Sequence, residues 1–196
     1  MQGLYYYFEL RGANLKKKIQ SVHFLQLNYQ DLNGEKWFQI EGSVMSMHDK
    51  ATMRDINGQY ICGYRKKYLS MHETAYITIQ GPNGTTMVVA TVKRQSNFSL
   101  EASADIYIHN PPMSIDDVTT SGLSVSIHVE GDILSKKYNF MMGDLDTNPY
   151  KIAQVVRKFQ TLFENDTYFL EIGPNVDVAF ICICAYAIDE LFSDDI

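Results

Sequence analysis

Histidines, thiols and paired acids are the side chains of this sequence that could carry chemistry, and their spacing decides what each could do. The five histidines, His23, His48, His72, His109 and His128, fall on different predicted strands and loops with no repeated ligand spacing. They are expected to be surface or hydrogen-bonded strand residues. Cys182 and Cys184 form a Cys-x-Cys pair, but two positions along a helix place side chains about 200° apart, so they cannot grip one ion and read as small apolar core residues. With Cys62 they make three thiols, a poor basis for a disulfide framework. Asp116-Asp117 and Asp144-x-Asp146 could bind a cation or move protons. Neither stretch has the oxygen-ligand count of a calcium loop, so solvated turns are expected. No Gly-x-x-x-x-Gly-Lys loop, Gly-x-Gly-x-x-Gly turn, Gly-x-Ser-x-Gly elbow or His-Glu-x-x-His helix occurs. The sequence thus predicts no catalytic residue, no metal, no cofactor, and no enzyme.

Basic clusters are the remaining candidates: Lys16-Lys17-Lys18, Arg65-Lys66-Lys67, Lys93-Arg94, Lys136-Lys137 and Arg157-Lys158. Adjacent side chains on a strand point to opposite faces, so a basic pair within a closed barrel would press one charge into the interior. These pairs are therefore expected at strand ends or rims. There they could converge on an anionic headgroup, Arg giving bidentate phosphate contacts and Lys point charges. The net charge of -6 and a pI near 5.3 argue against general nucleic-acid binding, which needs a Lys/Arg excess.

The elements that must position these groups are mostly strands. A chain of 196 residues, 45% hydrophobic and 20% charged, has the composition of one globular domain, taken here as residues 1–196. Short β-branched and aromatic runs alternate with turn residues. Thr52 to Asp55 and Gln59 to Tyr64 flank Ile56-Asn57-Gly58, where an Asn-Gly pair offers the positive φ values of a tight hairpin. Glu73 to Gln80 pairs with Thr86 to Lys93 across Gly81–Thr85, and Leu123 to Val129 with Ile133 to Met141 across Glu130-Gly131-Asp132. Val125, Ile127 and Val129 are predicted to share one face. Ile152 to Phe159 and Thr167 to Ile172 make a last pair. So many strands exceed what a flat open sheet holds without curling or splitting.

The segment Val176 to Phe192 differs, because Val178 to Ile188 is apolar at every position and has no water-facing stripe. Spanning a bilayer takes about 20 apolar residues, so a helix enclosed by protein is predicted over 176–192. A strand is the alternative for so short an apolar run, but the ends favour helix: Pro174 in the first turn, Asn175 as N-cap and Asp177 at the positive end of the dipole. A buried helix in an otherwise all-β chain points to a barrel closed around it.

Several phrases resemble one family. Gly173-Pro174-Asn175-Val176-Asp177-Val178-Ala179-Phe180, followed by Ile188-Asp189-Glu190, is similar to the closing phrase of LURP-one-related proteins, and Met47–Met53 and Tyr64–His72 resemble earlier segments of that family in the same order. The family's Tyr before Ala-Phe is Val178 here, and residues 1–20 match poorly. The resemblance implies a mainly β, tubby C-terminal-like fold: a closed antiparallel barrel of about twelve strands around a central apolar C-terminal helix. It also implies a binding module. Tubby domains hold phosphoinositides through basic residues on neighbouring strands, so Arg65, Lys66, Lys67, Lys93 and Arg94 are the candidate site for an anionic phospholipid headgroup. A protein-interaction scaffold in a stress or pathogen response is the second reading, with Tyr5-Tyr6-Tyr7-Phe8 as its aromatic surface. Met1 to Leu10 does not resemble a secretory signal, so the sequons at Asn83, Asn97 and Asn165 are expected to be chance matches. A monomer is expected, cytoplasmic, peripheral at the plasma membrane, or nuclear.

Overall fold

Two turns with the same chemistry show how the chain is folded back on itself. The computed structural model describes residues 6–12, 24–31, 33–43, 50–67, 73–95, 103–133, 135, 137–143, 147–157 and 167–192, with backbone alone for 6–12, 24–27, 43, 157 and 167–168. In Asp31-Leu32-Asn33-Gly34-Glu35, the Asp31 carboxylate accepts from the backbone N–H groups of Asn33 (2.9 Å) and Glu35 (3.0 Å). In Asp55-Ile56-Asn57-Gly58-Gln59, Asp55 accepts from Asn57 (2.9 Å) and Gln59 (2.8 Å). Gly34 and Gly58 take φ of +83° and +78°, a conformation glycine adopts without steric cost. Asn57 does not share it. The Asn-Gly turn with two positive φ values, as read from sequence, is thus corrected to a turn pinned by an aspartate and closed by one left-handed glycine.

The strands are β1 (Tyr6–Gly12), β2 (Phe24–Asp31), β3 (Lys36–Ser43), β4 (Lys50–Asp55), β5 (Tyr60–Lys67), β6 (Thr74–Gln80), β7 (Thr86–Arg94), β8 (Ser103–Ser114), β9 (Ile127–Asp132), β10 (Lys137–Met142), β11 (Tyr150–Arg157) and β12 (Thr167–Ile172), followed by one helix, α1 (Val178–Leu191). From β2 to β12 each strand pairs antiparallel with the next, and β1 pairs with β2 on one side and β12 on the other, so the ring of pairs closes through β1. Two sequence boundaries shift. Strand β9 begins at Ile127 and includes Glu130-Gly131-Asp132, which sequence reasoning had made the turn. Val125 lies outside that strand and is 40% exposed, whereas Ile127 and Val129 are buried. The alternation was real but began two residues later.

The strands' inner faces carry Ile40, Met53, Tyr64, Ile77, Val92, Ile106, Val129, Phe140 and Leu170, all buried with Ile181 to Ile188 of the helix in one core. Small inner residues, Ala51, Ala75, Ala90, Ala104 and Ala153, leave room for a helix about 10–12 Å across. The Tyr29 hydroxyl donates to the Cys182 carbonyl at 2.7 Å, and Tyr186 meets Tyr64 edge-on at 5.2 Å. The central helix thus lies inside protein, as predicted, but runs over Val178–Leu191 and not 176–192. Its N-cap is Asp177, whose carboxylate accepts from the Phe180 N–H at 3.0 Å. Asn175 sits before it at φ +61°, and Pro174 belongs to the same preceding turn. Asparagine tolerates that left-handed corner, which the chain needs to reverse from β12. Among the described residues no helix is long and apolar enough to cross a membrane.

Candidate functional site

Strand parity divides the basic residues chosen from sequence into two groups. Cys62 and Tyr64 of β5 are buried, as are Ala90 and Val92 of β7. Alternation therefore sends Lys66 and Arg94 inward and Arg65, Lys67 and Lys93 outward. All five stand near strand ends. On β4, Ala51 and Met53 are buried, so Lys50 faces outward too.

Register brings the outward cations together. Lys50 is directly opposite Arg65, a pairing that sets Cβ atoms about 4.5–5.5 Å apart and disfavours like charges. Lys67 is opposite Thr74, and Thr74 opposite Lys93, which puts these two lysines in one row two strand spacings apart, roughly 10 Å. Lys67 Nζ stands 5.8 Å from the Tyr76 ring centroid; Lys93 Nζ stands 5.8 Å from that of Tyr107 and donates to Thr120 Oγ1 at 2.7 Å. Among the described residues, no carboxylate forms an ion pair with Lys50, Arg65 or Lys67. Sequence reasoning missed Lys50. Counting β4 back from the Asp55–Gly58 turn pairs it with Tyr64, and the bulge between Met53 and Arg54, which moves it opposite Arg65, leaves no mark in the sequence.

The inward pair does something else. Arg94 Nη1 donates to Glu73 Oε2 at 3.1 Å and reaches the Leu191 carbonyl at 3.5 Å, with its guanidinium 4.4 Å from the Phe192 ring centroid. Lys66 Nζ lies 3.8 Å from Glu73 Oε1. The Arg94 side chain is only 10% exposed. These cations close the barrel end at the C-terminus of α1, where the helix dipole favours positive charge.

The other reactive side chains are tied down. His128 Nδ1 lies 2.7 Å from Asp105 Oδ1, while Gln95 Nε2 and the Tyr107 hydroxyl reach Asp105 Oδ2. Burial, then the Asp105 charge, raises the Tyr107 pKa. His109 Nε2 lies 2.8 Å from Thr91 Oγ1, and burial lowers its pKa, so the imidazole is neutral at pH 7. Cys62, Cys182 and Cys184 are free and buried. Burial pushes the Cys62 thiol up to about 12 and the other two upward as well, which keeps all three protonated and non-nucleophilic. Asp116 and Asp117 are exposed on a turn after β8. Among the described residues no three His, Cys, Asp or Glu side chains converge as a metal site. His23, His48, His72, Lys16-Lys17-Lys18, Lys136, Lys158, Asp144 and Asp146 lie outside the described residues, as do the side chains of Tyr5-Tyr6-Tyr7-Phe8.

Comparison with known proteins adds a family. The LURP-one-related family model matches residues 13–189. Protein LURP-one-related 15 of Arabidopsis thaliana is 28% identical over 169 residues, covering 84% of this chain and 72% of the relative. Protein LURP-one-related 10 of the same plant is 24% identical over 170 residues, covering 84% of this chain and 81% of its own length. An X-ray structure of an Arabidopsis thaliana protein superposes with a TM-score of 0.58 at 18% identity, over 95% of this chain and 91% of that one, a likeness of fold alone.

Proposed function

The chain belongs to the LURP-one-related family, and from that premise we propose that it is a non-enzymatic binding module for anionic membrane headgroups, phosphoinositides foremost, read on the outer face of β4, β5 and β7. One observation carries the proposal: Lys50 and Arg65 are held directly opposite each other, with Lys67 next along the same face and no carboxylate paired with them among the described residues. Like charges placed so repel in the free protein. An oxyanion between them removes the repulsion and gains charge-assisted hydrogen bonds. Lys93, in the row of Lys67 two strands along and opposite Asp105 of β8, marks the edge of the patch, and Lys66 and Arg94, from the set chosen by sequence, drop out because Glu73 holds them at the barrel mouth. The inert state of the buried thiols and of neutral His109 accords with a domain that binds and does not catalyse.

The test is cosedimentation with vesicles of phosphatidylcholine alone, with phosphatidylserine, and with a phosphoinositide. Each basic residue at an anionic surface is worth about 1 kcal/mol, so Lys50→Glu, Arg65→Glu and Lys67→Glu together should weaken binding by more than ~100-fold. Lys137→Glu, an exposed cation on β10, is the control and should change little. Equal recovery with neutral and anionic vesicles overturns the proposal. So does a triple variant that binds like the parent, and a reproducible protein partner on the same face would then favour the scaffold reading.

A further inference from the structure

At the opposite end of the barrel, where α1 begins, lies a cavity of about 560 Å³ between the helix and strands β5 to β8. Its walls include Ile61, Ile79, Val89, Ile108, Phe180 and Ile183. A bulge at Val89 of β7 sits in its wall: the register slips there both against β6, between Ile77 and Thr78, and against β8, between Val88 and Ala90, and a bulge bends its strand and re-aims its side chain. The volume falls within the range of about 300–1,000 Å³ typical of small-molecule sites, which are mostly apolar with a few fixed polar groups. A cavity of about 150 Å³ takes benzene, so this one has room for roughly 20 non-hydrogen atoms on the same scale.

Three observations define what fits. Ile108 is 40% exposed, and Ile61, Ile79, Val89 and Phe180 are half-buried, so apolar wall faces water. His109 also lines the cavity; it is only 4% exposed, and its Nδ1 is buried with no hydrogen-bond partner among the described residues. Folded proteins seldom leave such an atom unpaired. Finally, among the described residues no Lys or Arg lines the cavity, while Asp177 does, an arrangement unfavourable to a carboxylate or phosphate.

We propose that this cavity binds a neutral, mainly apolar small molecule carrying one hydroxyl or N–H group, which donates to His109 Nδ1. The Nε2–H of His109 then donates to Thr91 Oγ1, so both ring nitrogens are satisfied. The site is separate from the basic face and needs none of its residues.

The experiment is fluorescence titration of the whole chain with N-phenyl-1-naphthylamine, a neutral apolar probe with a single N–H, followed by displacement with dodecanol, dodecane or dodecanoate. Saturable binding at one site is expected, with dodecanol displacing best. Ile79→Trp and Val89→Phe, which fill the cavity from different strands, should each weaken the probe ~10-fold or more, with thermal melts confirming that at least one is folded. His109→Leu should erase the advantage of dodecanol over dodecane. Absence of saturable binding overturns the proposal, as does a folded cavity-filling variant that binds like the parent, or dodecanoate displacing better than dodecanol. The Lys50→Glu, Arg65→Glu, Lys67→Glu variant should keep probe binding, so failure of the headgroup reading and failure of this one are distinguishable.

Discussion

Arg94 and Lys67 both came from sequence as candidate headgroup ligands, and replacing each by alanine should separate them. Arg94 donates a charge-assisted hydrogen bond to Glu73 at 3.1 Å and stacks over Phe192 at 4.4 Å, with its side chain 10% exposed. A hydrogen bond to a charged group is worth about 1.5–3 kcal/mol, and a partly desolvated cation–π contact about 0.5–2 kcal/mol. Glu73 is 27% exposed and keeps Lys66 within 3.8 Å after the loss, so part of this is recovered and a net cost of about 2–3 kcal/mol remains. For a chain of this size that lowers Tm by roughly 5–10 °C. Lys67→Ala should stay within about 0.5 kcal/mol, and Arg65→Ala the same, since it also relieves the repulsion from Lys50. Arg94→Lys should fall between, keeping the charge and losing the flat stack. Urea unfolding with fitted slopes measures all four. If Arg94→Ala unfolds with the parent's midpoint, or Lys67→Ala costs as much, the division into inward structural and outward available cations is wrong.

Two further outcomes follow from the core. Cys62, Cys182 and Cys184 have thiol pKa values raised above the ordinary 9.0, and Tyr29 above 10.0, each chiefly by burial. The unfolded chain releases these protons at its lower pKa values while the folded chain keeps them, so stability is full below about pH 8 and falls above it. The urea midpoint should therefore drop between about pH 8 and pH 10.5, less steeply in Cys182→Ala; a flat profile contradicts it. Ending the chain after Asn175 removes Ile181, Ile183, Ile188 and Leu191, each 0% exposed. Their burial is worth about 6–12 kcal/mol together, comparable to the whole stability of a domain. The shortened chain should show no cooperative unfolding by circular dichroism, and a cooperative transition would refute a helix-centred core.

What could be read in the sequence was whatever depended on polarity alone. Val178 to Ile188 offers water no face, so enclosure by protein followed without knowing any contact, and the short β runs between turn residues gave the strands. What failed depended on single dihedrals. Asn175 and Asp177 are both acceptable N-caps by type, and only the +61° φ of Asn175 shows that it makes the corner and leaves the cap to Asp177. Asp55 pins its hairpin through side-chain acceptors that no periodicity reveals. The Leu123 to Val129 alternation was legible but its start was not, because Val125 continues the pattern after the pairing has ended.

The candidate site was harder to read for a reason specific to strands. Proximity in sequence counts against cooperation there: Lys66 is adjacent to Arg65 and Lys67 yet lies on the other side of the sheet, and Arg94 is separated from Lys93 in the same way. A basic cluster in a strand therefore splits into two half-clusters with different fates. The inward half must find a carboxylate or destabilise the barrel, and Glu73 fills that role at the C-terminal end of α1. The outward half acquires neighbours only through register, which is how Lys50, distant in sequence, comes to stand opposite Arg65. The same reasoning divides the ends of the barrel. One mouth is filled by Arg94 and Phe192, while the other keeps an apolar space beside an imidazole nitrogen with no hydrogen-bond partner among the described residues. The two proposed sites, a charged outer face and an apolar mouth, therefore stand apart, and neither borrows a residue from the other.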